Sequence, residues 1–182
     1  MFSMAGMSIF LPFLPLLPKQ ILLINFLTDF PAITVAGDRV DAEILTRPRR
    51  WNIRQIMRFM FVFGIISSVF DYITFGVLFV GFKVSPEIFR SSWFIFSVIT
   101  ELFILMVMRT QKPFFRSRPS PALLYSSVAV GVLTVMLPYT PLRQALDISA
   151  PGPVIVMSLI AISAAYIVTT GIAKHFFYRN EK

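Results

Sequence analysis

Cysteine is absent from this sequence of 182 residues, and His175 is its single histidine. The absence of thiols excludes disulfide bridges, thiolate zinc sites and cysteine catalysis, and one histidine cannot form a multi-histidine metal site. Neither a glycine-rich phosphate loop nor a His-Glu-x-x-His motif occurs, so no catalytic or cofactor-binding residue is predicted. Charged residues make up 14% of the chain, against about 25% in typical soluble domains. The sequence therefore has too little polar surface for a soluble enzyme.

Apolar residues are correspondingly frequent. Hydrophobic residues make up 56% of the chain, which includes 20 phenylalanines, and the mean hydropathy is +0.75. The net charge of +8 would suggest nucleic acid as a partner of a soluble protein, but in a membrane protein it is typical of the loops on one side of the bilayer. We therefore expect a membrane protein whose partner is the lipid bilayer and not a nucleic acid.

Long apolar runs predict an all-α, polytopic membrane helical bundle. A bilayer core of about 30 Å requires roughly 20 helical residues. Six helices are predicted, the first of them truncated, at about residues 1–14, 20–36, 57–80, 91–108, 122–137 and 153–173. We expect them to form one domain over residues 1–182.

The distribution of basic residues predicts the orientation. If successive predicted helices cross the membrane in opposite directions, 13 of the 17 Lys and Arg residues fall on the same side of the membrane. Because Lys and Arg are retained on the cytoplasmic side, both chain ends are predicted to lie in the cytoplasm, as in a multi-pass protein of the cell inner (plasma) membrane.

Asn25, Thr28 and Asp29 form the most informative polar group within a predicted span. Their i, i+3, i+4 spacing places three oxygen-bearing side chains on one helical face. Pro31 has no N–H to donate and clashes with the carbonyl of Leu27, so the helix is expected to bend or open there. Oxygen ligands of these kinds suit hard cations such as Mg²⁺. The alternative is that Asn25 and Thr28 only bond neighbouring helices while Asp29 caps or snorkels.

Two further carboxylates, Asp71 and Glu101, lie within predicted spans and are secondary candidates for the cation site. A carboxylate at bilayer depth is costly, so it usually serves an ion path or a structural pair. Nearby hydroxyl side chains favour a structural hydrogen-bond cluster for Asp71, namely those of Ser67, Ser68 and Thr74. For Glu101, an ion or proton role and a packing role stay equally open. Trp51 and Trp93 are expected to anchor helix ends at the membrane interface.

Several segments of the chain resemble the C-terminal membrane half of P-type cation-transporting ATPases. Residues 17–29 (LPKQILLINFLTD) are similar to the sixth membrane helix of that family, which carries an Asn-x-x-Thr-Asp or Asn-x-x-x-Asp motif. The segments that resemble bacterial magnesium-transporting ATPases are residues 38–41, 47–51, 67–75, 93–94 and 109–112. The resemblance covers nearly the whole chain. It implies that the first predicted helix is the end of the fifth membrane helix of the family, and that the other five are its sixth to tenth membrane helices.

The resemblance implies an ATP-driven pump for Mg²⁺ or another hard cation, with Asn25, Thr28 and Asp29 as ligands. Thr28 matches calcium pumps of the family better than magnesium pumps, so the resemblance leaves the ion open. The family's phosphorylation motif, Asp-Lys-Thr-Gly-Thr, does not occur in these residues. ATP would therefore act only through domains elsewhere, and we expect a fragment, a truncated product or one piece of a split pump whose partner is the remaining part.

A second hypothesis is a self-standing, non-enzymatic membrane protein, such as a passive cation channel or an assembly partner. It would conduct ions without ATP. A secondary transporter is less favoured, because the sequence contains neither an internal repeat nor a second broken helix.

Overall fold

The computed structural model describes residues 2–38, 53–110 and 117–179. Helices and their connections make up these residues, which contain no strand. The helices are α1 (Phe2–Met7), α2 (Pro18–Val35), α3 (Ile53–Phe75), α4 (Pro86–Met108), α5 (Pro121–Met136), α6 (Arg143–Leu146) and α7 (Pro153–Arg179). The expected all-α class is therefore confirmed. The family-like segments at residues 39–41, 47–51 and 111–112 lie outside the described residues.

The first helix is much shorter than predicted. It ends at Met7, whereas the sequence predicted a helix to residue 14, and residues 11–17 carry no regular structure. Pro12 and Pro15 explain the difference, because proline donates no hydrogen bond and disfavours a helical conformation in the residue before it. Pro18 occupies the first turn of α2, where the missing N–H costs nothing.

Within the described residues, four helical segments are long and apolar enough to cross a membrane: Ile53–Gly81, Pro86–Met108, Pro121–Tyr139 and Pro153–Phe177. The first of them includes a π-helical end, Gly76–Gly81, and the third ends in a 3₁₀ turn, Leu137–Tyr139. The 18-residue helix α2 is not among the four. The chain is thus a multi-pass membrane protein, but the predicted count of six membrane helices is not confirmed.

Trp93 packs inside the helix bundle, whereas a residue that anchors a helix end in lipid would be exposed. Its side chain is buried, and its ring stacks on Phe75 with 3.7 Å between the ring centroids. Phe75 in turn stacks on Phe89 at 5.3 Å. Stacked aromatic rings bury large apolar areas, and these three rings join the end of α3 to the first turns of α4.

Helix α2 packs against α4 and α5, and α7 packs against α3 and α4. Because the long helices alternate in direction, one end of the bundle contains the end of α2, the start of α3, the end of α4 and the start of α5. We call this the basic end, since its described residues include Arg54, Arg58, Arg109, Arg118 and Lys174.

Candidate functional site

A cavity of about 310 Å³ lies among α1, α2, α3, α4 and α7. Its walls include apolar side chains such as Leu16, Ile24 and Trp93, but oxygen-bearing side chains from all five helices also reach it. These are Ser3, Asn25, Ser67, Asp71, Ser97, Thr100, Glu101 and Tyr166. The cavity is open, and both Asn25 and Glu101 are exposed in it. At membrane depth, such a concentration of polar groups is typical of an ion path.

The predicted face of α2 borders this cavity. Asn25 lines it, and the buried Thr28 lies beside the Glu101 side chain of α4. The Thr28 hydroxyl also donates to the carbonyl of Ile24 at 3.1 Å, which fixes the side chain along its own helix. Asp29 is exposed and does not line the cavity. The α2 face therefore meets a carboxylate that the sequence alone did not connect to it.

Pro31 does not interrupt α2, so the opening that the sequence offered as one outcome does not occur. The helix is continuous from Pro18 to Val35, and Pro31 is buried within it. Packing against α4 and α5 holds this helix in shape. Pro31 still supplies no N–H to the carbonyl of Leu27, which leaves that oxygen without its usual helical donor.

Helix α4 repeats the polar pattern of α2. Ser97, Thr100 and Glu101 have the same i, i+3, i+4 spacing and all line the cavity. The Thr100 hydroxyl donates to the carbonyl of Phe96 at 2.8 Å, as Thr28 does to Ile24. Sequence reasoning considered Glu101 but missed Ser97 and Thr100, which the repeated spacing could have revealed.

Asp71 belongs to a separate part of the cavity. Its carboxylate accepts a hydrogen bond from the Ser3 hydroxyl of α1. On α7, the buried Tyr166 lies near both Ser67 and Asp71. These contacts join three helices in the hydrogen-bond cluster predicted for Asp71, to which sequence reasoning had assigned neither Ser3 nor Tyr166.

The cavity offers oxygen ligands of mixed kinds. In the part of the chain that the structure describes, no three His, Cys, Asp or Glu residues come together as a metal-binding group. A purely carboxylate cage is therefore not formed by these residues. Hard cations also accept hydroxyl, amide, carbonyl and water oxygens. Asn25 supplies an amide oxygen and Glu101 a carboxylate to the cavity, and the hydroxyl of Thr28 lies beside Glu101.

Comparison with known proteins agrees with this architecture. Residues 13–176 match the family "Cation transporting ATPase, C-terminus". The chain is 37% identical over 183 residues to "Magnesium-transporting ATPase, P-type 1" of Escherichia coli K12, covering 98% of the chain and 20% of that relative. A protein of the same name from Salmonella typhimurium LT2 is 33% identical over 146 residues, covering 78% of the chain and 16% of the relative. The chain thus spans about a fifth of the length of these curated relatives, and it belongs to the family of C-terminal domains of cation-transporting ATPases.

Proposed function

We propose that the chain is the cation-translocating membrane segment of an ATP-driven P-type pump, and that the ion is Mg²⁺. The relatives of known name are magnesium-transporting ATPases. Since the chain corresponds to about a fifth of their length, the phosphorylated aspartate and the ATP site would belong to the remaining part of the pump. That part, in the same or a separate chain, is the proposed partner.

The cavity that Asn25 of α2 and Glu101 of α4 line together is the observation that carries this proposal. It brings a second carboxylate, from a different helix, to the face of α2 that holds Asn25. A dehydrated divalent cation needs several oxygen ligands and negative charge nearby. Asn25, Thr28 and Asp29 are the proposed ligands, and Glu101 completes the group from α4.

Asp71 has a secondary place in this proposal. Its bond to Ser3 ties it to α1, while the α2 ligands lie beside α4. We assign Asp71 to the wall of the ion path and not to the main ligand set, because its carboxylate already has a hydroxyl partner.

The basic end supports one orientation of the helices in the membrane. We propose that this end faces the cytoplasm of the cell inner membrane, because arginine-rich connections are retained on that side. Both chain ends would then be cytoplasmic. Helices α1 and α2 would complete a set of up to six membrane helices once the remaining part of the pump surrounds them.

Direct binding of a hard cation tests the proposed ligand set. Mn²⁺ is a suitable probe because it takes octahedral oxygen coordination as Mg²⁺ does, and its free form gives a paramagnetic resonance signal that is lost on binding. In protein purified from its own membranes, Asp29→Asn should abolish high-affinity Mn²⁺ binding. The control Asp147→Asn, an exposed carboxylate outside the cavity, should bind Mn²⁺ as the unmodified protein does.

Competition and flux measurements separate the alternatives. Displacement of Mn²⁺ by Mg²⁺ at lower concentrations than by Ca²⁺ would support magnesium, and the reverse order would indicate a calcium-type ion. Cation flux through liposomes without ATP would favour a passive channel. Unchanged Mn²⁺ binding by Asp29→Asn would refute the ligand assignment.

A further inference from the structure

A buried ion pair lies at the basic end of the bundle, outside the cavity. Arg109 Nη1 and Asp38 Oδ2 are 2.7 Å apart, and the two side chains are only 2% and 7% exposed. Asp38 follows the end of α2, and Arg109 is the residue that caps the end of α4. The pair therefore joins the helix of the proposed ligands to the helix of Glu101.

The same two side chains also hold the start of α5. Asp38 Oδ1 accepts a hydrogen bond from the backbone N–H of Ser120 at 2.6 Å, and Ser120 is the N-cap residue of α5. Arg109 Nη2 donates to the carbonyl oxygen of Ser117. Charge-assisted bonds of this kind are stronger and more directional than neutral ones, so the ends of three helices are fixed at one point.

A fourth helix is attached close by. Lys174 of α7 is buried, and its Nζ donates at 2.6 Å to the carbonyl of Val107, in the last turn of α4.

At the opposite end of α2, the buried Gln20 donates to the carbonyls of Leu146 and Asp147 at 3.1 and 3.2 Å. Helix α2 is thus held at both of its ends, with Asn25, Thr28 and Asp29 between them.

We propose that Asp38 and Arg109 are positioning residues for cation binding: their ion pair sets the placement of the α2 ligand face against Glu101. This inference rests on the proposed function. Asp38 lies nine residues after Asp29, which is about 14 Å along a helix, so neither partner of the pair touches the ion. The pair would act through the helices whose ends it fixes, with the same outcome as partners that orient metal ligands directly.

A double substitution separates positioning from stability. Asp38→Asn or Arg109→Met alone leaves one buried charge without its partner, which is strongly destabilising, whereas removing both charges avoids that cost. The double variant Asp38→Asn/Arg109→Met should therefore unfold at a higher temperature than Arg109→Met. Its affinity for Mn²⁺ should nevertheless stay about 10- to 100-fold below that of the unmodified protein, as for other losses of ligand support.

The matched control removes another ion pair of α2. Lys19 and Asp147 lie 2.5 Å apart at the opposite end of the helix and are exposed. Lys19→Met/Asp147→Asn should change neither the Mn²⁺ affinity nor the position of α2, because exposed pairs contribute little. If Asp38→Asn/Arg109→Met recovered its Mn²⁺ affinity together with its stability, the ion pair would have a structural role only. That result would overturn the proposal.

A distance measurement tests the placement of α2 without any cation. The chain contains no cysteine, so nitroxide labels can be attached at Ile33→Cys on α2 and Tyr125→Cys on α5, whose native side chains are both exposed. The double variant should broaden the distance distribution between these labels. A second label pair, at Leu22→Cys and Met136→Cys near the other end of α2, should keep a narrow distribution.

The two measurements distinguish failure of this inference from failure of the proposed function. Absence of Mn²⁺ binding by the unmodified protein would refute the proposed function. An unchanged distance between residues 33 and 125 in the double variant would refute the positioning role whether or not the cation binds. Broadening together with weaker Mn²⁺ binding is the result that we expect.

Discussion

Thr28 of α2 and Glu101 of α4 are neighbours in the helix bundle. Each belongs to a polar stripe with the same i, i+3, i+4 spacing, and residues of both stripes line one cavity. The two stripes together present amide, hydroxyl and carboxylate oxygens to a common space. This pairing supports the oxygen-ligand cation site that we propose for these apolar helices.

Glu101→Gln tests the contribution of α4. Glutamine keeps the size of the side chain and removes its charge, so the cation loses electrostatic attraction while the packing is retained. We expect the affinity for Mn²⁺ to fall by about tenfold or more, since one charge-assisted interaction is worth about 1.5–3 kcal/mol. Glu87→Gln is the control on the same helix, because Glu87 is exposed and bonds Ser149 outside the cavity. Equal affinities for the Glu101→Gln and Glu87→Gln variants would remove Glu101 from the site.

Asp71→Asn should have a smaller effect on Mn²⁺ affinity than Glu101→Gln. Asparagine keeps an oxygen that can accept the Ser3 hydroxyl, and it removes a charge that is costly at membrane depth. We therefore expect the thermal stability of Asp71→Asn to equal or exceed that of the unmodified protein, while Asp71→Ala is less stable. Complete loss of Mn²⁺ binding by Asp71→Asn would move this residue into the main ligand set.

The sequence predicted the helical class and the α2 polar face, because helical periodicity and apolar runs are local properties. It predicted the first helix poorly, since it gave too little weight to Pro12 and Pro15. The contact of Thr28 with Glu101 and the bond of Ser3 to Asp71 depend on how distant helices pack, which spacing along one helix does not determine. From the sequence, Arg109 could be recognised only as part of residues 109–112, which resemble bacterial magnesium-transporting ATPases, and not as a member of an ion pair. Its buried partner Asp38 lies 71 residues away in the chain.

Lys174→Met should destabilise the protein more than Lys19→Met. Lys174 is buried and bonds a helix-terminal carbonyl, and leaving such a group without its partner costs about 1–3 kcal/mol. Lys19 forms an exposed pair with Asp147, which is worth about 0–1 kcal/mol. Thermal unfolding in one detergent provides the comparison. Equal melting temperatures for the two variants would show that the Lys174 bond contributes little.

Phe75→Ala tests the aromatic stack that joins α3 to α4. Phe75 is completely buried against Trp93, and truncating a buried phenylalanine costs about 3–5 kcal/mol. We expect a large loss of unfolding free energy together with a shift in Trp93 fluorescence. Phe61→Ala, an exposed phenylalanine of the same helix, should change both quantities much less. A fluorescence spectrum unaffected by Phe75→Ala would contradict the stacked arrangement.

Uptake of radiolabelled Mg²⁺ by cells that carry the gene in its own context tests the central claim most directly. Asp29→Asn should abolish the ATP-dependent uptake, because it removes the charge of the proposed ligand face, while Asp147→Asn should leave uptake unchanged. The protein level in the membrane should be equal for both variants. Uptake by Asp29→Asn at the rate of the unmodified protein would contradict the assignment of this chain as the cation-translocating segment through Asn25, Thr28 and Asp29.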